Sequence, residues 1–215
     1  MSNDSYKSES ICAISSPPGI GGVSLIRISG PDSFSIVEKI FSKSLKDISG
    51  YQVLYGKIIE KKQIIDDVIV AVFKNPHSFT GENTVEINCH GSTFIQQKII
   101  ELLINNGARL ALPGEFSKRA FLNGKLDLSQ TEAIADLINS KSSAAHEIAI
   151  KQLKGGISSE LKILRNKLIE FASLIELELD FSEEDVEFAN RTHLNQLIQD
   201  LITHIDQLKK SFQYG

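Results

Sequence analysis

The sequence predicts an α+β N-terminal domain with a mixed sheet, followed by an all-α helical bundle segment. Three observations carry that expectation. All five prolines (Pro17, Pro18, Pro31, Pro76, Pro113) and 11 of the 14 glycines lie in the first 125 residues, so the first part punctuates like strands and turns and the rest like long helices. Strand and helix patterns alternate in the first part without a strict βαβ rhythm, which favours a mixed α+β sheet over a doubly wound one. Charge changes at the same point: residues 1–125 carry 14 basic and 12 acidic side chains, residues 126–215 carry 9 and 15. The expected domains are 1–120 and 121–215.

Taken in order, Ser10–Ser16 and Gly22–Ile28 read as strands around a Pro17-Pro18-Gly19-Ile20-Gly21-Gly22 turn. Pro31 sits where the first helical residue belongs, and Phe34, Val37, Ile40 and Phe41 give a helical stripe. Gln52–Glu60 and Ile64–Phe73 form an antiparallel pair across Lys61-Lys62-Gln63, and Thr84–Cys89 alternates as a further strand. Thr93–Asn105 is a helix stopped at Asn106-Gly107, because glycine accepts the left-handed conformation just past a helix end. In the second part, Ser129-Gln130-Thr131-Glu132 reads as a capping box opening a helix to about Ile138. A second helix runs to Lys154 and ends at Gly155-Gly156. A third spans about 158–179, with Leu161, Leu164, Leu168, Phe171, Ala172 and Ile175 on one face. The last spans about 192–212, with Leu194, Leu197, Leu201, Ile205 and Leu208. Antiparallel helices with short loops make a bundle.

With 41% apolar and 23% charged residues, the 215-residue chain can bury a core and is not a disordered tail. It has no apolar run near the ~20 residues that span a bilayer and no secretory leader, so a cytoplasmic, reduced protein is expected. Cys12 and Cys89 stand alone, which argues against a zinc finger or disulfide framework. The net charge of −4 means that any nucleic-acid partner must be held by a local basic patch or another chain.

Several residues carry candidate chemistry. The Gly-rich loop lacks both the Walker pattern and the helix that a dinucleotide fingerprint needs, so it reads as a tight turn. Period two puts Arg27 on one face with Val23 and Leu25, where a guanidinium needs a counter-anion; a structural salt bridge is the ordinary reading. Glu86 shares a face with Thr84 and Asn88, either as an exposed carboxylate or as an acceptor of two parallel hydrogen bonds from a pterin or guanine edge. Cys89 and His90, adjacent on a strand, face opposite ways and cannot form a dyad; no other histidine has ligand spacing, so no metal site is expected. The acidic cluster Asp180, Glu183, Glu184, Asp185 and Glu187 reads as a helix-terminal feature. No positioned general base stands out, and no catalytic residue is assigned.

Three runs together resemble one family, the bacterial and organellar tRNA modification GTPases MnmE (TrmE). They are Pro17–Gly22 leading to Arg27-Ile28-Ser29-Gly30-Pro31; Ser78-Phe79-Thr80-Gly81-Glu82-Asn83-Thr84-Val85-Glu86 leading to Cys89-His90-Gly91; and Pro113-Gly114-Glu115-Phe116-Ser117-Lys118-Arg119 through Asn123-Gly124-Lys125-Leu126-Asp127-Leu128. Gln130–Ile138 and Asp180-Phe181-Ser182-Glu183-Glu184 also fit. Ile20 stands where the family usually has arginine, and Asn83 and Ser92 also depart from its usual pattern.

The resemblance implies an N-terminal domain that dimerises and binds 5-formyl-tetrahydrofolate or a related tetrahydrofolate, with contacts at Arg27, Glu86 and Lys125. It implies a helical domain into which a G domain is inserted, with GTP, Mg2+ and K+ belonging to that G domain. This chain is expected to be the first two segments only, stopping where the G domain would begin. The family works with an FAD-dependent MnmG-type partner to form a 5-carboxymethylaminomethyl-type group on the wobble uridine of tRNA, using a folate one-carbon unit and GTP hydrolysis. In the full protein, tRNA contacts are expected from the G domain, from the partner, or from basic residues such as Lys118 and Arg119, and no membrane is implied. Two other readings remain: a free-standing folate-dependent one-carbon transferase, and a non-catalytic dimerisation scaffold.

Overall fold

The computed structural model describes residues 9–45, 48, 50–180 and 191–212 and divides into two compact units, Met1–Leu126 and Asp127–Gly215. Unit 1 contains β1 (Ile11–Ile14), β2 (Gly21–Ser29), α1 (Ser33–Glu38), β3 (Gln52–Glu60), β4 (Gln63–Phe73), β5 (Thr84–Gly91), α2 (Thr93–Asn105), β6 (Arg109–Leu110) and α3 (Glu115–Leu122). Unit 2 contains α4 (Leu128–Asn139), α5 (Ser143–Leu153), α6 (Gly156–Asp180) and α7 (Arg191–Phe212). The α+β class followed by an all-helical segment is as the sequence predicts. The acidic cluster beyond Asp180 lies outside the described residues.

The six strands form one mixed sheet in the order β3-β4-β5-β2-β1-β6. All neighbours are antiparallel except β1 and β6. Period two sorts the side chains. Ile26 and Ile28 of β2, Val68, Val70 and Val72 of β4, and Val85, Ile87 and Cys89 of β5 are buried against Ile36 and Val37 of α1 and Ile99, Leu102 and Leu103 of α2. Each large aliphatic side chain removed from water there contributes roughly 1.5–3 kcal/mol. The alternate residues, among them Arg27, Glu86 and His90, fall on the sheet's other face, which carries the site.

The departures from the expected elements have local causes. Pro31 precedes the N-cap Asp32 rather than opening α1, because the Asp32 N–H is taken by Ser10 Oγ at 3.0 Å. The helix stops at Glu38, short of Phe41, because residues 40–42 turn to pair with the outer edge of β3: Ile59 N–H donates to Ile40 O and Ser42 N–H to Lys57 O. The β3–β4 turn is Lys61-Lys62 alone, with Gln63 already paired to Glu60. Strand β6 and helix α3 carry no clear period in the sequence and were not anticipated. Gly107 ends α2 at φ 113°, as expected.

In unit 2 the capping box belongs to Asp127 and Gln130, not to Ser129 and Glu132. The Asp127 carboxylate accepts from Gln130 N–H, and Gln130 Oε1 accepts from Asp127 N–H. Ser129 Oγ is buried with no partner among the described residues. Helices α4 and α5 bury Ala133 and Ala149 and are clamped together by Gln130 Nε2 donating to Leu153 O and Gln152 Nε2 to Ser129 O. Between α6 and α7, Leu164, Leu197 and Leu201 are the buried hydrophobic residues among those described, backed by Phe171 and Leu174. Leu161, Leu168 and Ile175, expected on the packed face of α6, are exposed, as is Ile205 of α7, because a two-helix seam covers a single narrow stripe. The side chains of Leu194 and Leu208 lie outside the described residues.

Candidate functional site

The centre of the site is a cross-strand ion pair. Strands β2 and β5 place Arg27 directly opposite Glu86. Arg27 Nε donates to Glu86 Oε1 at 2.8 Å and Nη2 donates to the same oxygen at 2.6 Å. Both side chains are about one-fifth exposed. Oε2 of Glu86 accepts no hydrogen bond among the described residues and keeps its lone pairs for another donor. The guanidinium carbon lies 5.3 Å from the Phe79 ring centroid and 5.5 Å from that of Phe116, within cation–π range of both. Charge, a carboxylate oxygen and two flat apolar rings therefore meet on the open face of the sheet.

The loop carrying Phe79 is fixed by a cluster of hydroxyls. Ser29 Oγ and Thr80 Oγ1 share a hydrogen bond of 2.6 Å, Ser29 Oγ donates to Glu82 Oε2 at 2.8 Å, and Thr84 Oγ1 donates to Ser29 Oγ. Ser78 Oγ closes the loop on Glu82 O at 2.6 Å. Gly30 N–H and Ser33 Oγ both donate to Asn83 O. Most polar residues of the Ser78–Thr84 run thus position the loop rather than face a ligand.

Helix α3 holds Phe116 through a buried charge network. Arg119 donates to Glu82, Glu115 and the carbonyl of Glu9, and Arg109 pairs with Glu115 at 2.7 Å and Glu9 at 2.8 Å. Burial opposes ionisation of Glu115, but hydrogen bonds from Arg109, the Leu112 N–H and Arg119 outweigh it and hold the carboxyl down at about 2. Arg119 is 2% exposed. It is therefore an internal strut, and its candidacy as a tRNA contact is withdrawn; Lys118, one residue away, is on the surface.

Of the three residues singled out from the sequence, the structure joins Arg27 to Glu86 and sets Lys125 against the loop that carries Phe79. Lys125 Nζ donates to Pro76 O at 3.1 Å, and its aliphatic stem lies against Gly81. It touches the loop that carries Phe79, not the ion pair. The arginine's structural salt bridge and its candidate site role coincide, since its counter-anion is Glu86 itself.

The Gly-rich segment joins antiparallel β1 to β2 and leads into a strand, as a tight turn does. Ile20 at its tip is 88% exposed. Gly91 admits the close approach of this segment to β5: a Cβ on Gly91 would stand 2.5 Å from Gly21 O. Cys89 and His90 do face opposite ways. The Cys89 thiol is pushed up to about 11 by burial and by the Asp66 charge, and burial alone takes Cys12 to about 11, so neither is a ready nucleophile. His90 has a partner the sequence did not disclose: Asp66 Oδ2 accepts its backbone N–H at 2.8 Å and Oδ1 meets its Nδ1 at 2.6 Å. Phe79, Phe116 and Asp66 were also missed as site residues. The two phenylalanines stand inside the quoted runs, whereas nothing in the Asp66-Asp67 pair announces that one of them is buried. Among the described residues no group of three or more His, Cys, Asp or Glu could hold a metal ion, and no helix is long and apolar enough to cross a membrane.

Comparison with known proteins follows the same division. The family described as "GTP-binding protein TrmE N-terminus" matches residues 10–125, and the "MnmE helical domain" family matches residues 128–215. Among curated relatives, the tRNA modification GTPase MnmE of Parabacteroides distasonis is 53% identical over 212 residues, covering 95% of this chain and 46% of the relative. That of Cytophaga hutchinsonii is 52% identical over 208 residues, covering 96% and 45%. That of Porphyromonas gingivalis is 50% identical over 216 residues, covering 98% and 46%. The chain spans about half the length of the curated relatives it matches.

Proposed function

Since the chain belongs to the MnmE (TrmE) family and matches its N-terminal and helical domains, we propose that its sheet domain binds a reduced folate, 5-formyl-tetrahydrofolate or a close relative, for use in tRNA modification. The observation that carries this reading is the Arg27–Glu86 pair on the open sheet face, flanked by Phe79 and Phe116. The residues suit such a ligand. A carboxylate with an unused oxygen can accept the N–H and amino donors on the aminopyrimidinone edge of a pterin. Two aromatic rings can cover a flat bicycle, and the Arg27 guanidinium both orients Glu86 and offers donors to ring or formyl oxygens. Lys125, against the neighbouring loop, supplies a positive charge for an anionic portion of the ligand. When bound, the folate supplies a one-carbon unit; the chain's own residues bind and orient it.

The wider activity is proposed for the complete protein. It forms a 5-carboxymethylaminomethyl-type group on the wobble uridine of tRNA with an FAD-dependent MnmG-type partner, as a cytoplasmic homodimer joined through the sheet domain. GTP hydrolysis, with Mg2+ and K+, belongs to a G domain outside these 215 residues.

Calorimetric titration with 5-formyl-tetrahydrofolate tests the binding proposal. Saturable binding should weaken about 10- to 100-fold in Glu86→Ala, the worth of a charge-assisted pair of hydrogen bonds. A folded, dimeric chain that binds no pterin would favour the scaffold reading instead.

A further inference from the structure

We infer that His90, oriented by Asp66, is a ligand-facing residue of the same site whose Nε2 accepts a hydrogen bond from the bridging nitrogen, N10, of the bound folate. The inference rests on the folate reading above and adds a residue and a direction to it: the ligand runs from Glu86 along β5 toward His90.

Three observations support this. Glu86, Asn88 and His90 alternate on one face of β5, and at about 3.3 Å per residue the backbone carries His90 roughly 13 Å from Glu86. That separation accommodates a pteridine held at its pyrimidinone edge with its bridge extending away. Second, Asp66 is a buried carboxylate, its side chain 7% exposed, while the His90 side chain is 68% exposed. The β4–β5 ladder stops at the Ile69–Asn88 pair, and beyond it Asp66 replaces a ladder acceptor for the His90 N–H. Capping a strand end requires only that one bond. The second bond, from the other carboxylate oxygen to Nδ1, fixes the ring of a residue whose side chain stands mostly in solvent.

Third, the chemistry of the pair is directional. An imidazole whose Nδ1 donates to a carboxylate carries its proton there, leaving Nε2 as an acceptor turned outward. Such an acceptor suits the N10–H of a formylated reduced folate. Cys89 is no competitor for this role, being buried on the opposite face.

The test uses the whole chain, 5-formyl-tetrahydrofolate as probe, and four proteins: wild type, Glu86→Ala, His90→Ala and Asp66→Asn. The exposed His90 ring predicts that His90→Ala melts like wild type. Its affinity should nevertheless fall about tenfold, the worth of one hydrogen bond at a binding site. In 15N imidazole spectra, the wild-type His90 Nε2 resonance should shift on saturation, and Asp66→Asn should change the tautomer before any ligand is added. If Glu86→Ala loses binding while His90→Ala binds like wild type and Nε2 does not move, His90 is only a strand-end residue and the inference is wrong. If wild type does not bind saturably, or Glu86→Ala binds as well as wild type, the folate reading fails and this inference with it.

Discussion

The two units hold themselves together by different means. In unit 1 a sheet shares a continuous core with α1 and α2, and its loops are tied by hydroxyl clusters and an ion network that runs from exposed Glu9 to buried Glu115 and Arg119. In unit 2, among the described residues, the α6–α7 seam buries Leu164, Leu197 and Leu201 and leaves Leu161, Leu168, Ile175, Ile202 and Ile205 in the open. A site that must hold two phenylalanines and an ion pair in fixed relation needs the first kind of scaffold, because each side chain is placed by neighbours that cannot shift independently. The second kind leaves apolar surface to be covered by further chain or by a partner.

The largest expected effect sharpens this contrast. Ile87→Ala removes a fully buried side chain from the middle strand of the core, and about 3–5 kcal/mol of stability should be lost. Leu164→Ala, on a seam open to solvent at its edges, should cost closer to ~2 kcal/mol because water can fill the gap. Urea denaturation followed by circular dichroism measures both. Equal losses would mean that α6 and α7 are packed as tightly as the sheet, contrary to the exposures above.

A second, smaller effect separates the charge network from the apolar core. Glu115 has its carboxyl pulled from an ordinary 4.5 to about 2 by its arginine partners and a backbone N–H. The unfolded chain therefore binds more protons than the folded one between those values. Stability from this group is complete above about 4.5 and is lost as pH falls toward 2. Glu115→Gln, which removes the charge but keeps the shape, should cost about 3 kcal/mol at neutral pH by leaving two guanidiniums short of an anion. It should also flatten the acid limb of unit 1's stability curve. An acid limb unchanged in the variant would assign acid sensitivity to other carboxylates.

Much of this division is legible in the sequence, for physical reasons that differ between elements. The β4 and β5 runs alternate because one face meets a core and the other does not, and α2 ends at Gly107 because only a residue tolerant of φ 113° turns the chain there. Strand β6 is two residues long and α3 eight, too short for a period to emerge, and Glu115 and Arg119 of α3 look like surface charges until their partners on Glu82, Arg109 and Glu9 are known. The leucine stripe of α6 shows that periodicity marks apolar positions without saying which are covered. At the site, Arg27's need for an anion is legible from its strand neighbours. The identity of that anion depends on the β2–β5 register, a non-local fact, as does the meeting of Asp66 with His90 across 24 positions of chain.

The smallest effect concerns a place where unit 1 is not optimised. The β3–β4 hairpin turns through Lys61 and Lys62, both with positive φ, 45° and 77°. A two-residue hairpin needs that conformation at both central positions because its twist then matches the strands, and asparagine followed by glycine meets the requirement with least strain. Lysine at both positions carries the steric cost of Cβ in the left-handed region. Replacing the pair by Asn-Gly should therefore stabilise unit 1 by about 0.5–1 kcal/mol, although glycine's greater freedom in the unfolded chain takes back part of the gain. The turn lies at the far end of the hairpin from Tyr51 and Phe73, and β5 separates β4 from Arg27. Affinity for 5-formyl-tetrahydrofolate should accordingly stay unchanged while the melting temperature rises by a few degrees. Higher stability with altered affinity would show that the outer hairpin and the Arg27–Glu86 face are coupled, and that the rigidity of unit 1 is a property of the whole sheet rather than of its central strands.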